Sequence, residues 1–138
     1  MKMFRSTFLL ATLLVFVVAL GPTRAQCAEK PGGGENTAGI EKTLHAMIKA
    51  LVAGNYAAFL VPGTPELPKN ISEQRFALIR ENAVPDLKNG YTAALDVQVP
   101  EADGSVSFHW MIKPRKSGNE LHAILVIKGE KAFDFSLQ

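Results

Sequence analysis

The chain has 138 residues, a formal net charge of +2 and one cysteine. That length fits a single domain, and one cysteine excludes an internal disulfide. The basic excess lies in the first 25 residues: without Lys2, Arg5 and Arg24 the balance is 12 basic against 13 acidic residues, about −1, which removes the concentrated basic face that a nucleic-acid partner needs.

The N-terminus has the layout of a secretory signal peptide. Lys2 and Arg5 give a basic start, Phe8 to Leu20 is an apolar run, Gly21-Pro22 breaks it, and small residues follow at Ala25 and Ala28. The run spans about 13 residues, short of the roughly 20 that a bilayer-crossing helix demands. Residues 1–25 are therefore expected to be cleaved and the protein exported, to a periplasm or outside the cell, with no membrane segment left. The alternative is a lipid anchor on Cys27, but Arg24-Ala25-Gln26 lacks the apolar-then-small pattern that resembles a lipoprotein signal. Residues 26–36 contain EKPGGGE and form an expected flexible leader, because consecutive glycines hold a helix poorly.

One α+β domain is expected over residues 37–138. Asn36 or Thr37 offers a cap for a first helix. Ile40, Leu44, Met47, Ile48 and Leu51 recur at helical period and define a buried stripe. Glu41, Lys42, His45 and Lys49 take the opposite face, with His45 expected in solvent. Gly54 ends this helix, and Asn55 starts a short second one through Leu60. Residues 61–69, VPGTPELPK, read as an irregular loop. Ser72 caps a third helix, with Glu73 in its first turn, where the helix dipole favours an acid. Ile71 and Phe76 are spaced for a hydrophobic staple. Phe76, Ile79, Ala83 and Leu87 are its expected buried stripe, widened by Leu78. Pro85 is expected to break or kink it after Asn82 or Ala83.

From Tyr91 the period changes to two. Four strands are expected, separated by PEADG, by the basic turn KPRKSGN and by Gly129-Glu130, which fits a two-residue hairpin. The second, SVSFHWMIK, alternates most cleanly. The third is apolar on both faces from Ala123 to Ile127, so both are expected to be covered there. A four-residue turn at Glu101–Gly104 pairs Leu95 with Trp110 and Val97 with Phe108. Pairing Lys113 with Glu120 places Trp110 against Ala123 and Phe108 against Leu125. Tyr91, Leu95, Val97, Val99, Val106, Phe108, Trp110, Ile112, Leu121, Leu125 and Ile127 then form one apolar face, the natural partner of the helical stripes. The fold expected is a set of N-terminal helices packed on a curved, cone-like antiparallel sheet of about four strands.

Gly54-Asn55-Tyr56-Ala57-Ala58-Phe59, following an amphipathic helix, resembles a turn recurring in the nuclear transport factor 2-like superfamily. There a similar glycine, polar, aromatic, x, x, phenylalanine segment leads from a long first helix into a second. The order of helix and curved strands over residues 37–137 is also similar, although this chain has no early strand between its helices. It is most similar to small secreted members without an established activity. The cystatins share a related helix-on-sheet shape, but their inhibitory Gln-x-Val-x-Gly loop is absent: Gln98-Val99-Pro100 does not match it. The resemblance implies a cone between helices and sheet, in which enzymes of the superfamily place an Asp, Tyr or His as acid or base.

Few residues here supply such chemistry. Tyr91 and Trp110 point inward, and Tyr56 reaches the same space from the short helix. Together they suit a small apolar ligand, although both tyrosines read first as packing residues with satisfied hydroxyls. On the other face the register sets Asp96 opposite His109, with His122 diagonal to it. This polar cluster could orient an imidazole or bind zinc, but a solvated sheet face is the plainer expectation. No cofactor or metal motif is expected. Ser72 and Ser136 have no neighbouring histidine for a triad, and Gly32–Gly34 follow no strand. Asn70-Ile71-Ser72 fits a glycosylation sequon, and Lys113, Arg115 and Lys116 form a soluble basic tip. Ile124, Val126, Phe133 and Phe135 are expected to make the outer face apolar near the last hairpin. A homodimer or another protein partner is expected there, unless the tail or residues 61–69 cover it. The function expected is a non-catalytic module binding a protein or small apolar ligand. The alternative is an isomerase, dehydratase or hydrolase using the cone pocket.

Overall fold

A computed structural model describes Glu35–Gln138. The signal peptide, Cys27 and most of the expected leader lie outside the described residues. The fold is α+β: α1 (Glu35–Ala53), α2 (Tyr56–Leu60), α3 (Leu67–Asn70) and α4 (Glu73–Leu87) precede an antiparallel meander of β1 (Tyr91–Pro100), β2 (Val106–Pro114), β3 (Leu121–Lys128) and β4 (Lys131–Leu137), in the order β1-β2-β3-β4.

The first helix already includes Glu35, ahead of the expected caps at Asn36 or Thr37. Its stripe, Ile40, Leu44, Met47, Ile48 and Leu51, is buried as expected. Gly54 has φ +70. Its N–H donates to Leu51 O at 3.1 Å, and Asn55 N–H donates to Ala50 O at 2.9 Å. That pair of bonds closes a helix through a left-handed residue. Asn55 then caps α2, its side-chain oxygen accepting from Ala58 N at 3.0 Å.

Residues 61–69 are not wholly irregular. Leu67–Asn70 form a helical turn, and the segment before it straps the edge of β4. Thr64 N–H donates to Ala132 O at 2.8 Å, and Ala132 N–H donates to Pro62 O at 3.0 Å. Gly63 forms the bridge with Ala132 between them. The strap fits closely: a Cβ on Gly63 would overlap Leu67 Cδ2 and lie 2.9 Å from Leu67 Cβ.

Ser72 caps α4 through Arg75 N at 3.2 Å, and Ile71 and Phe76 are both buried. Pro85 does not break this helix, which runs on to Leu87. The proline removes one donor, but it stands in the last turn. Buried Ala83 and Leu87 on either side hold the backbone to helical geometry, so packing overrides the local preference. Leu78 does not widen the buried stripe: it is 60% exposed.

The register of β2 with β3 is as expected, with Trp110 opposite Ala123 and Phe108 opposite Leu125. The register of β1 with β2 holds only to Leu95–Trp110. At Asp96 the ladder bulges, so that Val97 pairs with His109, Val99 with Ser107 and Pro100 with Val106. A one-residue shift turns side chains to the opposite face. Val97 and Val99 therefore leave the expected apolar face and stand on the outer one, 42% and 37% exposed. A second bulge falls at Phe133, between Val126–Asp134 and Ile127–Ala132. It puts Phe135 opposite Leu125 on the inner face, 1% exposed. Phe135 thus belongs to the core and not to the outer patch. The Gly129-Glu130 turn has positive φ at both residues, +54 and +68, the backbone of a type I′ hairpin.

Candidate functional site

The space between helices and sheet is occupied by side chains. Phe59 meets Phe76 edge-on at 5.1 Å and Phe135 at 5.5 Å between ring centroids. Trp110 is 2% exposed in the same cluster, and its indole N–H has no hydrogen-bond partner among the described residues. Tyr56 packs edge-on to Phe76 at 5.3 Å, and its hydroxyl donates to Ile71 O at 2.6 Å. That bond ties α2 to the start of α4 and commits the hydroxyl proton. Tyr56, Tyr91 and Trp110 all adjoin the one core cluster, with the Tyr56 hydroxyl bonded to Ile71 and that of Tyr91 to α1.

Tyr91 turns instead to α1. Its hydroxyl lies 2.7 Å from His45 Nδ1, and the two rings are 5.5 Å apart. His45 Nε2 lies 3.5 Å from Glu41 Oε1, one helical turn back. His45 is thus half-buried and engaged, not simply in solvent. With its proton on Nε2 facing Glu41, Nδ1 accepts from the phenol. Burial raises the Tyr91 pKa above its ordinary value of 10.0, which keeps the phenol neutral. The i, i+4 spacing of Glu41 and His45 was legible in the sequence. Their meeting with Tyr91, 46 residues further on, depends on how α1 crosses the sheet.

The cluster of Asp96, His109 and His122 is not assembled as expected. Asp96 is the bulge residue, without a paired partner, and His109 faces Val97. His122 pairs with Met111, which leaves it diagonal to His109 as expected, but exposed. Among the described residues no group of three or more His, Cys, Asp or Glu side chains is placed to hold a metal ion. Asn70 of the sequon donates Nδ2 to Phe133 O at 2.7 Å, the carbonyl of the second bulge. Its amide nitrogen thus links α3 to β4.

The outer face of the sheet is a second candidate surface. No described helix lies on it: the buried helical residues share their cluster with inner-face residues. Val97, Val99, His109, Met111, Ile124 and Val126 stand along it, half-buried or exposed. At the end formed by the β1–β2 turn it dips into a pocket of about 400 Å³. Its walls include Glu101, Asp103, Ser105, Ser107, Phe133 and Asp134. Buried Ser105 and Ser107 hold the carboxylates in place: Ser105 Oγ donates to Asp103 at 2.6 Å, and Ser107 Oγ donates to Glu101 at 2.8 Å. The Ser105 hydrogen bonds lower the Asp103 pKa below its usual value. Lys128 Nζ lies 5.1 Å from the centre of the Phe133 ring and 3.9 Å from Asp103. A positive group thus already rests beside acid and aromatic face, an arrangement that favours cations.

No family model matches this chain, and neither the curated proteins nor the solved structures supply a match.

Proposed function

We propose that this chain is an exported, non-catalytic binding module of the nuclear transport factor 2-like kind, which docks a protein on the outer face of its sheet. The observation that carries this reading is the bulge at Asp96, which turns Val97 and Val99 onto the face that also bears Ile124 and Val126, with His109 and Ser107 of β2 between them. Apolar side chains on an open sheet face cost solubility unless something covers them. The aromatic filling of the interior supports recognition on the surface over a ligand in the cone. Site-specific photo-crosslinkers at Val99 and Ile124, with exposed Leu78 on α4 as control, test this in producing cells. A defined adduct from the sheet positions and none from Leu78 is expected. No adduct, or the same adducts from all three, would refute it.

A second reading rests on Glu41, His45 and Tyr91. A carboxylate, an imidazole and a phenol in series can move a proton to or from a small molecule at the seam of α1 and β1. Turnover in a panel of ester and isomerisation substrates, lost in Tyr91→Phe while the fold survives, would favour it over docking.

A further inference from the structure

The two ends of the outer face carry opposite charge. At the end holding the β1–β2 and β3–β4 turns stand Glu101, Asp103 and Glu130, against Lys128 and Lys131, with Asp134 already paired to Arg75 of α4 at 3.6 Å. Lys128 is already engaged with Asp103 and Phe133. At the other end stand Lys113, Arg115 and Lys116, against Glu120. Glu120 pairs with Lys113 at 3.0 Å, so Arg115 and Lys116 are left to set the sign of the tip. Between the two ends lies the apolar band of Val97, Val99, Met111, Ile124 and Val126.

A surface with one acidic end, one basic end and an apolar middle is complementary to its own reversed copy. We infer that the protein docked on this face is a second copy of the chain, related by a two-fold axis that lies between the sheets and across the strands. The inference rests on the docking reading above and names its partner. An axis along the strands would bring acid against acid. An axis across them lays each strand over its reversed counterpart, so that the basic tip of one copy meets the acidic pocket of the other, twice. The residue midway between Ser105 and Lys113 on β2 is His109, so the axis passes by His109 and its paired neighbours Val97 and Ile124. Ser107 then faces Met111 of the second copy, and Val126 faces its His122. Such an interface is isologous and closes at two. Aligned sheets pack about 10 Å apart with a crossing of about 30°, within which these side chains interdigitate.

Four strands of about nine residues give a face of about 15 by 26 Å. At about 400 Å² per copy that is below the roughly 800 Å² per partner of a standard stable interface, so the dimer is expected to be weak, to dissociate on dilution and to weaken with salt, because its register depends on charge.

The test is sedimentation of protein purified from expression of the full chain, over a range of concentration and salt. Lys113→Glu with Lys116→Glu reverses the tip. Ala102→Lys with Glu130→Lys reverses the pocket end without removing the carboxylates that anchor Ser105 and Ser107. All four positions are exposed, and circular dichroism checks that each variant is folded. The wild type is expected to dimerise, each double variant alone to lose about tenfold or more in affinity, and an equimolar mixture of the two to recover a one-to-one dimer. A wild type that is monomeric at every concentration would overturn the second-copy partner and leave the docking face to the photo-crosslinking result. A dimer broken by Ile124→Glu but indifferent to both charge variants would overturn the reversed arrangement. Association that survives all three changes lies on another surface and would overturn the docking face as well.

Discussion

His45 shows how far a single side chain can depart from its helical face. Its position opposite the stripe of α1 suggests solvent, yet it bonds Tyr91 at 2.7 Å. The phenol makes that contact testable by pH. An unfolded tyrosine ionises near pH 10, whereas burial raises Tyr91 above this in the folded protein. Ionisation is thus easier in the unfolded chain. The stabilising contribution is complete below about pH 10 and is lost as pH rises from there through the folded value. Urea midpoints measured from about pH 8 to pH 11 should fall at the upper end in the wild type, and fall less in Tyr91→Phe. That variant should also lose about 1 kcal/mol at neutral pH with the hydrogen bond. The two phenylalanines of β4 make a second comparison. Alternation alone gives them one face, but the bulge divides them, and a bulge leaves no mark in a period-two pattern. Phe135→Ala is expected to cost about 3–5 kcal/mol, as for a core aromatic. Phe133→Ala should cost clearly less, because its ring is half-exposed and its carbonyl bond to Asn70 is made by the backbone. Urea denaturation of the two variants decides between the bulged and the unbulged strand.

At the scale of elements, most of the fold was legible. Each strand lies within a residue or so of its expected span, and the stripe of α1 is the one that packs, because both follow from periodicities that burial enforces. The misses have a common cause. Pro85, the turn at Leu67–Asn70 and the register past Leu95 are all places where contacts distant in sequence overrule a local preference. In α4 the overruled preference should be measurable. A proline inside a helix lacks a donor and crowds the preceding turn. Pro85 is exposed, so Pro85→Ala removes no core packing. It is expected to stabilise the protein by about 1–3 kcal/mol, seen as a higher urea midpoint with an unchanged slope. A loss of stability would mean that the ring supports the turn into β1. The candidate site was less legible than the fold. Ile124 and Val126 follow from alternation alone, but Val97 and Val99 reach the outer face only through the bulge. The acidic pocket draws on two turns and two strands whose proximity no spacing encodes.

For the molecule as a whole, the sheet's two edges are unequal. Along β4, Pro62 and Thr64 bond both backbone groups of Ala132, and Asn70 takes the carbonyl of Phe133. Along β1, no described segment runs beside the outer edge. A sheet with both edges bare can add strands without limit, and one with a single bare edge cannot propagate beyond a pair. The strap through Gly63 therefore blocks strand addition at the start of β4. Gly63→Ala drives a methyl group into fully buried Leu67, whose Cβ would lie 2.9 Å away, so the strap should lift from β4. The expected result is ordered aggregation that grows with concentration and time, read by light scattering, where the wild type stays clear. By this argument a glycine far from the proposed interface decides whether assembly is finite or fibrous.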